Sequence, residues 1–164
     1  PEHARAYQLG FLKIAKLPPK NYFARFNYPI GYMLPFLLKE NFISQPTCLI
    51  RKSVLVSIGG YLQPVNNFAE DYPTHLELAK HGKITYIDNN KIYAFYRQHD
   101  SQMTKNHFPK MVESDCELIL NYSNSLTNSL KSDLKITPKF IANIIKRKKS
   151  IIPYMEAKRL ISIK

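Results

Sequence analysis

The firmest constraint on this chain is a change of hydrophobic period at Gly82. Over residues 71–81, Tyr72, Leu76 and Ala79 recur at helical spacing, Asp71 stands where a cap is needed, and Pro73 suits the first turn. Gly82 ends that helix, and residues 84–88 (Ile-Thr-Tyr-Ile-Asp) read as a strand. Asn89-Asn90 then reads as a turn into a second strand over 91–97. Upstream, residues 43–50 read as a strand. Ser53 is placed to cap a short helix over 54–58, and Gly59-Gly60 stops it. This alternation predicts an α/β or α+β sheet fragment.

The flanks are less regular. Tyr7, Phe11, Ile14 and Ala15 predict a helix over 1–16, ended by Leu17-Pro18-Pro19. Residues 18–36, rich in Pro, Tyr, Phe and Asn, read as an irregular loop, with a helix over 32–39. Beyond residue 104 the pattern is helical only. Phe108, Met111, Val112, Cys116, Ile119 and Leu120 mark an amphipathic helix, and 123–132 reads as a polar spacer. Pro138 opens a helix carrying Phe140, Ile141, Ile144 and Ile145, and Pro153 sets off a last basic segment. The expected division is therefore 1–104, the sheet-bearing part, and 105–164, a helical extension.

Charge separates the two parts further. The chain is +12 overall. Residues 131–164 hold ten basic side chains against Asp133 and Glu156, so the tail carries most of the excess. Such a patch attracts nucleic acid, anionic headgroups or a nucleotide diphosphate. Lys146-Arg147-Lys148-Lys149, between Ile144-Ile145 and Ile151-Ile152, reads as a basic-apolar segment able to lie on an anionic membrane or to form a solvated helix face. No nucleic-acid motif is present, so no specific nucleic-acid partner is expected. Cys48 and Cys116 are too few for a disulfide scaffold and read as buried free thiols in a reducing compartment. The longest apolar run, 28–38, is broken by Pro29, Gly31 and Pro35 and falls short of a bilayer span. The chain opens on Pro1 rather than Met, which reads as part of a longer protein.

The informative stretch is 45–104. Gln45-Pro46-Thr47 is followed by Arg51-Lys52-Ser53, Gly59-Gly60-Tyr61, Glu70-Asp71 at a helix start, and Tyr96-Arg97-Gln98-His99 with Ser101. This order resembles the second, acceptor-side half of inverting bacterial family 2 glycosyltransferases of the GT-A fold, over about residues 40–104, and the resemblance implies an incomplete α/β fold, a mixed sheet with flanking helices. The resemblance implies transfer of a sugar from a nucleotide-sugar donor to a glycan or lipid-linked acceptor in surface polysaccharide synthesis. Direct displacement at the anomeric carbon needs a base for the attacking hydroxyl and stabilisation for the leaving diphosphate. By this resemblance Asp71 is the general base, and Glu70 and Gln63 lie at the acceptor, Gln63 in a loop over 63–68. Arg97 and His99 face the diphosphate, and His99 is the candidate metal contact. Arg97 has a structural alternative as an ion-pair partner of Asp71 or Glu70. His75 and His81 are expected on helix surfaces. The implied cofactor is Mg or Mn, held mostly elsewhere, because the Asp residues 71, 88, 100, 115 and 133 form no Asp-x-Asp and no nucleotide-binding βαβ unit is visible. Gly59-Gly60 is a turn, not a phosphate loop, and no structural zinc is expected. The segment alone is thus expected to be inactive, working in the cytoplasm or peripherally on the inner face of the membrane. The competing expectation is a noncatalytic basic module that binds nucleic acid or anionic membrane.

Overall fold

The computed structural model describes residues 25–62, 68, 71–87, 94–95, 97, 99, 101–102 and 106–162. They fall into two compact units. The first takes Pro1–Leu62 with Asp71–Arg97, and the second Gln63–Glu70 with Gln98–Lys164. The described residues are mostly helical.

The first unit runs β1 (Arg25–Tyr28), α1 (Leu34–Lys39), a 3₁₀ turn (Gln45–Thr47), α2 (Lys52–Ser57), α3 (Tyr72–His81) and β2 (Ile84–Ile87). Strands β1 and β2 pair antiparallel, with Arg25 opposite Ile87 and Tyr28 opposite Ile84. This two-stranded ribbon replaces the expected mixed sheet among the described residues. One strand prediction fails for an identifiable reason. Residues 43–50 do not join a ladder: Pro46 has no N–H and a fixed φ, which favours a tight helical turn. Thr47 N and Cys48 N accordingly donate to Ser44 O (2.9 Å) and Gln45 O (3.0 Å). The partner of β2 is β1, inside the stretch read as an irregular loop. Of 91–97, Ala94, Phe95 and Arg97 adopt no regular structure, and the rest, with the Asn89-Asn90 turn, lie outside the described residues, as does the helix predicted over 1–16.

The core of this unit is made by α1 and α3. Met33, Leu34, Leu37, Leu38, Tyr72, Leu76 and Ala79 are buried. Both helices bring a proline into their first turn, where a missing N–H costs nothing. The Tyr72 hydroxyl donates to the Leu37 carbonyl in the last turn of α1, which also accepts the N–H of the C-cap residue Glu40 at 3.1 Å. Tyr72→Phe should therefore cost about 1–2 kcal/mol in urea denaturation; unchanged stability would show that this bond contributes nothing net. Helix α2 starts two residues earlier than predicted, at Lys52. Arg51 is its N-cap without a side-chain bond, so Ser53 is not the cap. Gly59 and Gly60 end it at φ +88° and +89°, angles that a side chain would strain.

The second unit runs α4 (Phe108–Ser125), α5 (Asn128–Asp133) and α6 (Pro138–Ser162). Helices α4 and α6 pack on each other. Val112, Cys116, Ile119 and Ser123 line one face of α4, and Ile141, Ile144 and Lys148 one face of α6, all buried. The expected polar spacer over 123–132 is instead helical at both ends, because Thr127 Oγ1 caps α5 through Leu130 N (3.3 Å). Nor does Pro153 interrupt α6, which continues through it. A proline removes one i→i−4 bond of a helix, not all of them. No helix among the described residues is long and apolar enough to cross a membrane.

Candidate functional site

Asp71 stands at the N-cap position of α3, and its carbonyl accepts from His75 N at 3.0 Å. Its carboxylate, however, makes no capping bond, contrary to expectation. It is half-buried and accepts from Asn41 Nδ2 at 3.2 Å. The positive end of α3 favours negative charge here. The carboxylate is thus held at an element end without being consumed by the helix.

Asn41 ties Asp71 to a residue that periodicity placed wrongly. His75 is not on the surface: it is 1% exposed. Its Nδ1 lies 3.0 Å from Asn41 Oδ1, and its Nε2 lies 2.7 Å from Gln45 Oε1. Gln45 Nε2 in turn lies 2.7 Å from the exposed Tyr61 hydroxyl. A continuous chain of side chains therefore runs from Tyr61 through Gln45, His75 and Asn41 to Asp71. The Gly59-Gly60 turn and the Leu62 N to Thr74 Oγ1 bond (2.9 Å) bring Tyr61 back beside α3.

The direction of this chain follows from charge. An ionised carboxylate only accepts, so Asn41 turns its NH₂ to Asp71 and its oxygen to His75 Nδ1, which must carry a proton. Burial lowers the His75 pKa, the Asp71 carboxylate opposes that shift, and burial is the larger effect. The neutral ring then needs a donor at Nε2. Turning the Gln45 amide supplies it and lets the Tyr61 hydroxyl donate to Gln45 Oε1. The orientation with Gln45 Oε1 toward His75 belongs to the imidazolium.

Because the folded pKa of His75 lies below its unfolded value of about 6.5, the neutral ring contributes stability at neutral pH. That contribution is lost as pH falls below about 6.5 and through the folded value. His75→Gln should be less stable at neutral pH but lose less on acidification, as read by urea denaturation at a series of pH values. An unchanged pH slope would remove His75 as the cause.

Cys48 is half-buried, and burial, reinforced by Asp71, raises its thiol pKa. Its Sγ donates to Ser44 O at 3.4 Å. It is a protonated thiol at neutral pH and a poor nucleophile. Cys116 is buried, and burial raises its pKa against the pull of Lys148 and Lys149.

The other predicted site residues are scattered among the units. Glu70 and Gln63 lie outside the described residues. Arg97 is exposed in the first unit; His99 is exposed in the second, with Nδ1 2.9 Å from Ser101 Oγ. His81 is exposed, as expected, and Nε2 lies 3.1 Å from Glu77 Oε2. Among the described residues, no three His, Cys, Asp or Glu side chains come together as a metal site. They do not fit a divalent ion by themselves, and no chemistry is assigned to one here.

No family model, no curated protein and no solved structure matches this chain.

Proposed function

We propose that this chain supplies the acceptor-side part of an inverting glycosyltransferase of the GT-A type, with Asp71 as general base. One observation carries the reading: the Asp71 carboxylate sits at a helix start, spared from capping, half-buried, and oriented by Asn41. A base must be held within hydrogen-bond reach of the hydroxyl it deprotonates, and a rigid element end does this better than a loop. The acceptor oxygen attacks the anomeric carbon of the donor, Asp71 takes its proton, and the nucleotide diphosphate leaves.

The donor-binding half, with Mg or Mn, is assigned outside this chain. Exposed apolar side chains in the first unit support the need for further covering: Leu49 is 102% exposed and Phe95 88%. Large apolar groups so placed are common where another surface packs. Glu70 and Gln63 are proposed for the acceptor, Arg97 and His99 for the diphosphate, and a glycan or lipid-linked sugar of bacterial surface polysaccharide for the acceptor itself.

The test is transfer by the protein that joins this segment to a nucleotide-sugar-binding half. Asp71→Asn should abolish transfer and leave donor binding, followed by calorimetric titration, unchanged. Transfer at the wild-type rate would refute the assignment.

A further inference from the structure

The face of α6 that points away from α4 is cationic. Between residues 134 and 155 the sequence has six basic side chains and no carboxylate. Lys148 is consumed inside, 3.1 Å from Asp115 Oδ2. The others, Lys135, Lys139, Lys146, Arg147 and Lys149, are exposed. At about 100° per residue, Lys139, Lys146 and Lys149 share an arc of roughly 80°, with Lys139 and Lys146 opposite the buried Ile141, Ile144 and Lys148 and Lys149 at the edge of the arc. Lys139 and Lys149 stand about 15 Å apart along the axis, with Lys146 between them. Their spacings are comparable to the screening length of about 8 Å at physiological salt, so their fields overlap. Tyr154, 67% exposed, lies five residues beyond Lys149, to the side of this arc.

We propose that this face docks the protein on an anionic lipid bilayer, by charge rather than by insertion. The proposal does not depend on the transferase reading. An inserting amphipathic helix needs its apolar stripe free for lipid. Here Ile141 and Ile144 are already buried in the unit and the cations are exposed, so the contact is electrostatic. A bilayer fits better than a nucleic acid. The arc is lysine, a hydrated point charge that accepts mobile headgroups without fixed geometry, whereas groove or strand recognition draws on arginine forks and stacking aromatics. Each lysine near an anionic surface strengthens partition roughly fivefold.

The experiment is co-sedimentation of the whole 164-residue chain with phosphatidylcholine vesicles, with and without phosphatidylglycerol. Binding is expected only to the anionic vesicles. It should be lost at about 0.5 M salt, where the screening length falls to roughly 4 Å. Lys139→Gln, Lys146→Gln and Lys149→Gln together should weaken it on the order of a hundredfold. These positions are exposed, and an unchanged circular dichroism spectrum checks that the fold is kept. The chain has no Trp, so Tyr154→Trp provides a single tryptophan beside this face, and its selectively excited emission should change on vesicle addition. Four results would overturn the proposal: no binding at low salt, equal binding to neutral vesicles, wild-type binding by the triple variant, or tighter binding to a DNA or RNA duplex at the same salt.

Discussion

Asp71→Asn, in the protein that joins this segment to a donor-binding half, is expected to lower the turnover number for sugar transfer by about 10²–10⁴-fold, the usual contribution of a positioned general base. The substitution is close to isosteric. An asparagine side-chain oxygen at position 71 still accepts from Asn41 Nδ2, so the bond observed at 3.2 Å survives and folding should be little disturbed. What disappears is basicity. The expected pattern is therefore a fall in turnover with the donor affinity and the melting temperature near their wild-type values. Asn41→Ala provides the contrast. It leaves the carboxylate but removes its orienting donor, and a loss of a little over tenfold is expected, the lower end of the roughly 1.5–3 kcal/mol span of a hydrogen bond to a charged group. If Asp71 were only a structural residue, Asp71→Asn would change stability and turnover by similar small factors. Retention of a tenth or more of the activity would sink its role as base.

The parts of this site were unequally legible in the sequence, and the reasons are physical. Helix α3 follows from Tyr72, Leu76 and Ala79, whose spacing is local and whose burial the structure shows. The same helical geometry held an unused signal for His75: it is three residues after Tyr72 and four before Ala79, at the edge of the apolar stripe. A polar residue on that edge has to find polar partners on burial. Those partners, Asn41 and Gln45, lie 34 and 30 residues upstream and outside any α-helix, so no periodicity points to them. Pairing of β1 with β2 is likewise non-local, and four-residue strands give too short an alternation to read. Composition also misled: Thr47, Leu49 and Ile50 favour a strand, but Pro46 makes the local turn cheaper than a ladder. In the second unit, α4 and α6 were readable because each buries a long stripe at helical spacing. The stripe of α6 contains Lys148, which charge counting assigned to the tail and packing assigns to the core.

Lys148→Ala should destabilise the second unit by about 3–5 kcal/mol, the cost of breaking a buried ion pair from one side. Lys148 Nζ lies 3.1 Å from Asp115 Oδ2, with side chains 6% and 16% exposed. Its position follows from α6 itself: Ile141, Ile144 and Lys148 are spaced i, i+3 and i+7, so the lysine stem continues the buried stripe. Two contributions are then mixed in the alanine variant, lost stem packing and the loss of Asp115's cation. Lys148→Met separates them, because it keeps an unbranched apolar side chain of similar length. If charge dominates, Lys148→Met should be nearly as destabilising as Lys148→Ala, and adding Asp115→Leu to it should restore much of the loss, since replacing both partners by apolar groups is often neutral or better. If packing dominates, Lys148→Met should be mild and the second substitution should not help. The double-mutant cycle can be read by amide hydrogen exchange in α4 and α6, which reports this unit by itself. Added salt should change the result little, because the pair is buried. The neighbouring thiol gives an independent readout: Lys148 lowers the Cys116 pKa against burial, so either lysine variant should push that pKa up further. A wild-type thiol titration together with unchanged exchange would show that the pair is not coupled to the core.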